Sequence, residues 1–284
     1  MARVTKNDIL ELIPQLDDES IDFQKIADEM FAHFLSNYET AALESMLSKG
    51  MIKPTSGHFE KVISAGKCDI VKLLLQFTAQ PQNALKIAIT HKQSEIIKLL
   101  LVDKRYDIDY CYEYKETLIE TLCRYGDVEL VKIALTDEQI DPARYRNFPI
   151  QIAAKAGKIE IIKYLMTDVR VNPGDDNNYA LEYAINSNKL EAVKLLLTDV
   201  RVNASLNDNK ALMRAFKINN TEMVKALIPY SDLTKISDIT ILNLAKEMLP
   251  PPSIWNAFTE LMKQYNVKSI NIETGKQFSV QYNQ

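Results

Sequence analysis

Glycine is scarce in this sequence, seven in 284 residues, about a third of the usual usage of roughly 7%. So low a count disfavours turn-dense β folds and glycine-rich phosphate loops, and it suits helices. Histidine and cysteine are sparser still. His33, His58 and His91 are the three histidines, and none stands in a metal-binding spacing such as HExxH. Cys68, Cys111 and Cys123 form no CxxC pair and leave an odd thiol. That excludes a simple disulfide framework and fits a reducing compartment. No GxxxxGK[ST], GxGxxG or GxSxG motif occurs. A basic excess is also missing: the net charge is -4, which speaks against a dedicated nucleic-acid binder. No run approaches the roughly 18 apolar residues of a spanning helix, and the first twenty residues turn acidic without an apolar signal core. These absences predict a cytoplasmic protein with no membrane or nucleic-acid partner, no cofactor, no metal and no catalytic centre, with monomer favoured over oligomer.

What the chain has instead is internal repetition, the feature to be sought first in any such sequence. IEIIKYLMTDVRVNP and LEAVKLLLTDVRVNA are nearly one sentence written twice. An acid, two apolar residues, a lysine and a mostly apolar triplet recur through the chain. The lysines are Lys72, Lys98, Lys132, Lys163, Lys194 and Lys225, at steps of 26, 34, 31, 31 and 31. Three residues before them stand Asp69, Glu95, Glu129, Glu160, Glu191 and Glu222. An acid near a helix start is favoured by the helix dipole and reaches a lysine at i+3. The simplest reading of this stripe is a solvated helix face.

Ten positions before each lysine lies a small or apolar residue: Val62, Ala88, Leu122, Ala153, Ala184 and Ala215. Three positions earlier comes a larger one: Phe59, Leu85, Ile119, Ile150, Leu181 and Leu212. The i, i+3 spacing places both on one buried face of a first helix. A four-residue bend, AGKI at 156–159 or SNKL at 187–190, joins it to the second helix. Gly157 and Asn188 there suit the left-handed conformation that often ends a helix. Connections such as TDVRVNPGDDNNY read as an extended loop or hairpin between units. A helix pair this small cannot bury both faces alone, so the units must stack into a solenoid.

These residues resemble the ankyrin repeat family, whose pattern runs T-P-L-H-x-A-A-x-x-G-x-x-E-φ-V-K-x-L-L. FPIQIAAKAGKIEIIKYLMTDVRVN (148–172) carries it best, followed by segments 179–203 and 83–107. The resemblance extends over roughly residues 57–236. It implies an all-α, ankyrin-like solenoid of about six to seven helix pairs, residues 51–236, between an N-terminal helical cap (1–50) and a C-terminal irregular repeat, cap and tail (237–284). A tetratricopeptide-like solenoid is the alternative. The family threonine survives only as Thr117, and its histidine is replaced by Glu60, Lys86, Glu120, Gln151, Glu182 and Met213. With their hydrogen bonds lost, irregular loops and a strained stack are expected. The short first step implies a truncated loop at 77–81, and the tail SINIETGKQFSVQYNQ reads as a strand or a mobile segment.

The resemblance further implies a non-catalytic scaffold, adaptor or inhibitor that binds another protein through its concave face. Divergent arrays of this kind are similar to those of secreted bacterial effectors, large DNA viruses and amoebae, which would place the chain in a host cytosol. By register, the concave positions are Glu113, Tyr114, Arg124 and Tyr125 in the third unit and Arg144, Tyr145, Asn147 and Lys155 in the fourth. The fifth adds Asp175, Asp176, Asn178 and Asn186, the sixth Lys217, and the second His91. Tyr114, Tyr125 and Tyr145 with Arg124 and Arg144 would form one patch of hot-spot residue types, with Tyr106, Tyr110 and Tyr112 nearby. Cys123 reads as core, while the helix dipole would lower the Cys68 thiol. The alternative is an enzyme whose catalytic region lies in the terminal segments and whose solenoid recruits substrate.

Overall fold

The computed structural model describes residues 23–37, 39–78, 81–104, 117–232, 267–273 and 277–282. They divide between two compact units, Met1–Glu113 and Tyr114–Gln284. In the first unit, α1 (Phe23–Asn37) and α2 (Thr40–Ser48) precede α3 (Ser56–Ser64), α4 (Cys68–Phe77), α5 (Ala84–Thr90) and α6 (Ser94–Asp103). The second holds α7 (Leu118–Tyr125), α8 (Val128–Ala134), α9 (Arg144–Ala156), α10 (Ile159–Thr167), α11 (Asp175–Asn186), α12 (Leu190–Leu196), α13 (Leu206–Lys217) and α14 (Thr221–Leu227). The described helices thus make seven pairs, six of them carrying the lysine motif. In the tail, β1 (Val267–Glu273) and β2 (Gln277–Tyr282) form an antiparallel hairpin with Ile270 opposite Val280. It is the strand structure present among the described residues.

Each pair follows from its apolar spacing. The second helices bury adjacent residues one turn apart, as Ile70, Val71, Leu74 and Leu75 do in α4, giving the wide stripe that faces a core. Every residue of the two first-helix columns is buried, from Phe59 and Val62 to Leu212 and Ala215. The bends behave alike: Gly66, Lys92, Gly126, Gly157, Asn188 and Asn219 all take the left-handed conformation. Gly and Asn enter it at little cost, but Lys92 carries a Cβ and does not. The motif acids meet their lysines at 2.7 to 3.0 Å in five of the units, with the carboxylates exposed. Pairs of this kind contribute a few tenths of a kcal/mol each. The shortened first connection runs from Phe77 to Ala84.

The loops of the second unit are regular, contrary to the expectation drawn from the missing threonine and histidine. Three consecutive left-handed residues precede α-helical geometry in each of α9, α11 and α13: Tyr145–Arg146–Asn147, Asp176–Asn177–Asn178 and Asn207–Asp208–Asn209. This turn aims the third residue, always Asn and always buried, into the next unit. The Asn178 amide accepts from the Asn203 N–H (3.1 Å) and donates to its carbonyl (2.7 Å). Asn209 grips Asp232 in the same two-point fashion at 2.8 and 2.6 Å. Asn147 accepts from the Asn172 N–H (2.7 Å) and donates to the Asp175 carboxylate (2.8 Å). Asn172 and Asn203 in turn accept from the Gly174 and Ser205 N–H groups. Before them, Asp168 and Asp199 hold Arg170 and Arg201 bidentately, and Arg201 also donates to the Val171 carbonyl of the preceding unit (2.8 Å). An asparagine ladder therefore replaces the hydrogen bonds that the departures from the family pattern remove.

In the first unit, α1 is tied to α3 by His58. Its ring is buried, stacks on Phe31 at 4.1 Å, accepts the Thr55 N–H at Nδ1, and lies 2.9 Å from Asp28 at Nε2. With Nδ1 an acceptor, the neutral ring donates from Nε2. Burial lowers its pKa from the ordinary value, outweighing the opposing pull of Asp28, and Lys61 adds to the lowering.

Asn178→Ala leaves the Asn203 N–H and carbonyl without their partner and is expected to cost about 1–3 kcal/mol in urea unfolding. Lys92→Gly removes left-handed strain and is expected to stabilise by about 1 kcal/mol. A histidine held below its unfolded pKa favours the folded state above that value. The His58 contribution is therefore complete above about pH 6.5 and lost as the pH falls below it. The urea midpoint should drop from pH 7 to pH 5, and less steeply in His58→Gln; an equal slope in the variant would assign the drop to other groups.

Candidate interaction face

First helices stack on first helices and second helices on second helices within the second unit, so its two layers present different chemistry. The second-helix layer shows the neutralised Glu–Lys pairs. The first-helix layer and its loop tips carry aromatic and cationic side chains.

Tyr145 is the most prominent of these. It sits at φ 49° and ψ 53°, a conformation costing a non-glycine, non-Asn residue of the order of 1–2 kcal/mol, yet the residue is 62% exposed. Several contacts hold the turn. The Arg144 guanidinium stacks on the Tyr145 ring at 4.8 Å and donates to its hydroxyl at 3.1 Å. Gln151, at the position of the family histidine, donates to the Arg146 carbonyl at 2.7 Å. Arg146 reaches across to Asp176 of the next unit at 2.6 Å. Backbone strain combined with an exposed aromatic tip is an arrangement more often found at functional loops than at purely structural ones.

Further along the same layer, Lys155 lies over the Tyr183 ring at 5.6 Å, and Tyr183 packs beside the exposed Tyr179 at 5.7 Å. Asn186 accepts from Arg214 at 3.0 Å. Glu182, largely buried at another family-histidine position, is bridged by Lys210 (2.9 Å) and Arg214. Lys217 closes α13, exposed.

The residues assigned by register differ in exposure. Tyr145, Lys155, Asn186 and Lys217 are exposed, and Arg144, Asp175 and Asp176 partly so. Asn178 and Asn147, expected on the exposed surface, are instead buried, and their amides are spent on the ladder. Asp175 accepts from Asn147 and from the Asp176 N–H, and Asp176 from Arg146; these acids hold the turn together. Arg124 and Tyr125 are half-buried at the end of α7. Glu113 and Tyr114 lie outside the described residues, as do Tyr106, Tyr110 and Tyr112, so the tyrosine cluster is represented by Tyr125 and Tyr145 alone. His91 belongs to the first unit, exposed and 3.2 Å from the Ser64 hydroxyl. Sequence reasoning passed over Arg146, Tyr179, Tyr183, Lys210 and Arg214. Four of these stand at 15 or 11 positions before a motif lysine, a column signal present in the sequence but read only for its core residues.

Cys123 is fully buried. Burial, Asp69 and Glu95 push the Cys68 thiol up, the reverse of the lowering expected from the helix dipole. No group of three or more His, Cys, Asp or Glu positioned for a metal ion occurs among the described residues. A shallow recess between α11 and α13 has polar walls that already satisfy one another, Asn178 with Asn203 and Glu182 with Lys210. Among the described residues no helix is long and apolar enough to cross a membrane.

Comparison with known proteins agrees with the geometry. Residues 118–208 match the family of ankyrin repeats (3 copies). No curated protein matches the sequence. Among solved structures, the crystal structure of the human ASB11 ankyrin repeat domain is similar at a TM-score of 0.55 and 19% identity, over 72% of this chain and 96% of that one. With the paired helices, left-handed bends and stacked layers described above, these matches show ankyrin repeats at residues 118–208 and an ankyrin-type helical fold.

Proposed function

We propose that this chain is a non-catalytic binding module that docks a partner protein on the first-helix face of its second unit. Ankyrin repeats are in general protein–protein interaction modules, and fold alone does not choose a partner or a surface. The observation that selects the surface is Tyr145: exposed, strained, and braced by Arg144, Gln151 and the Arg146–Asp176 bridge. The corresponding turns use Asp176–Asn177 and Asn207–Asp208, residue types that tolerate the left-handed region. Keeping Tyr and Arg where Asn is cheaper costs stability, and a contact surface is what such a cost supplies. Tyr and Arg are also the residue types enriched where binding energy concentrates. The scaffold, adaptor or inhibitor role, including that of an effector acting in a host cytosol, is the finer form of this proposal.

Tyr145→Asn tests the reading without the ambiguity of an unfolded variant. The substitution relieves strain, so the chain is expected to be more stable by about 1 kcal/mol in urea while losing its partner. Affinity capture from native lysate should return a stoichiometric protein with the parent chain and with Lys163→Ala on the second-helix layer, and none with Tyr145→Asn. Equal recovery with Tyr145→Asn would move the site off this face.

A further inference from the structure

The partner's chemistry is written in the charge left over on that face. Glu129, Glu160, Glu191 and Glu222 are matched by lysines on the second helices, and Asp168 and Asp199 by arginines in the loops. On the first-helix face Asp176 is matched by Arg146 and Glu182 by Lys210 and Arg214, Asp175 is held by an amide and a backbone N–H, and Asp208 stands exposed. Against these two acids the remaining lysines are in excess. Lys155 and Lys217 end their helices exposed, Lys155 against the Tyr183 ring instead of a carboxylate. Lys158 and Lys189 lie in the bends, their stems running over Gly126 and Gly157 of the preceding units. The C-termini of α9 and α13 favour Lys155 and Lys217, but Lys158 and Lys189 cap the N-termini of α10 and α12, where the dipole does not offset their charge. Tyr145, Tyr179 and Tyr183 supply aromatic area beside them.

We propose that this face receives an extended, acidic peptide segment of the partner protein. The inference rests on the docking surface proposed above and specifies its occupant. A chain with a net charge of -4 that nevertheless collects cations on one face is arranged to attract an oppositely charged ligand. Neighbouring first helices pack about 8–10 Å apart, and an extended peptide rises about 3.3 Å per residue. Carboxylates at roughly every third residue would therefore keep step with the lysines from unit to unit, leaving the intervening side chains for the tyrosines.

The test is selection of a random 16-residue peptide display library on the full chain, followed by affinity measurement for the enriched peptides. The expected outcome is enrichment of Asp and Glu near every third position. Affinity should fall at least tenfold in Lys155→Glu/Lys217→Glu, remain in Lys163→Glu/Lys194→Glu, and weaken with added salt, with helicity unchanged throughout. Neutral or basic peptides that bind the parent and are lost with Tyr145→Asn would overturn the acidic occupant while leaving the docking face in place. Peptides indifferent to both first-helix variants, or no enrichment at all, would overturn the face and the occupant together. A 20-nucleotide single strand binding as tightly as the best acidic peptide would overturn the proposal in favour of a nucleic acid.

Discussion

The stack of the second unit depends on a buried amide reaching into the next repeat. A helix pair of some thirty residues leaves one flank of its core uncovered and its loop backbone short of hydrogen-bond partners, so neighbouring pairs stand or fall together. Burying a backbone N–H and carbonyl without partners costs more than a net hydrogen bond returns. The Asn178 and Asn209 side chains satisfy both groups of one residue in the following loop. A single amide thus sets the distance between repeats and their register at once. The left-handed turn exists to aim it, and asparagine is among the few residues that can occupy such a turn and also donate and accept.

That arrangement frees the neighbouring positions. Because Asn147 and its equivalents fix the loop from within, the residue two places before each varies from repeat to repeat, although Asp176 also takes the Arg146 bridge. Two repeats place Asp176 and Asn207 there; one places Tyr145. The strain at Tyr145 is tolerated because the bonds around it over-determine the turn. The rungs and the residues at the loop tips are therefore sequence neighbours that differ in which way the backbone points them.

Charge is partitioned on the same principle. Second helices and loop aspartates keep their lysines and arginines at home, in exposed pairs that contribute little to stability but leave that surface electrically neutral. First helices spend Asp176 and Glu182 on bridges between repeats and keep more lysines than acids over. A modest net charge therefore conceals one face with a definite sign, and that sign, more than the total, bears on which partners approach.

The sequence by itself determined the repeat, its helix pairs, the buried columns from Phe59 to Ala215, and five of the six left-handed bends, where Gly or Asn stands; Lys92 gave no such sign. All of these are local: a period of 3.6, an acid three residues before a lysine, a residue without steric objection to positive φ. It also carried the asparagines at 147, 178 and 209 in plain view, but register alone assigned them to the contact surface. Only the tertiary structure decided that their partners are backbone groups in the next repeat, up to 25 residues away, and that three successive left-handed residues turn them inward. In the same way Tyr145 and Asn147 look equivalent as polar loop residues until the turn sends one to solvent and the other into the core. The direction of a side chain at such a turn follows from φ and ψ, and those were set by contacts that do not exist until the repeats stack.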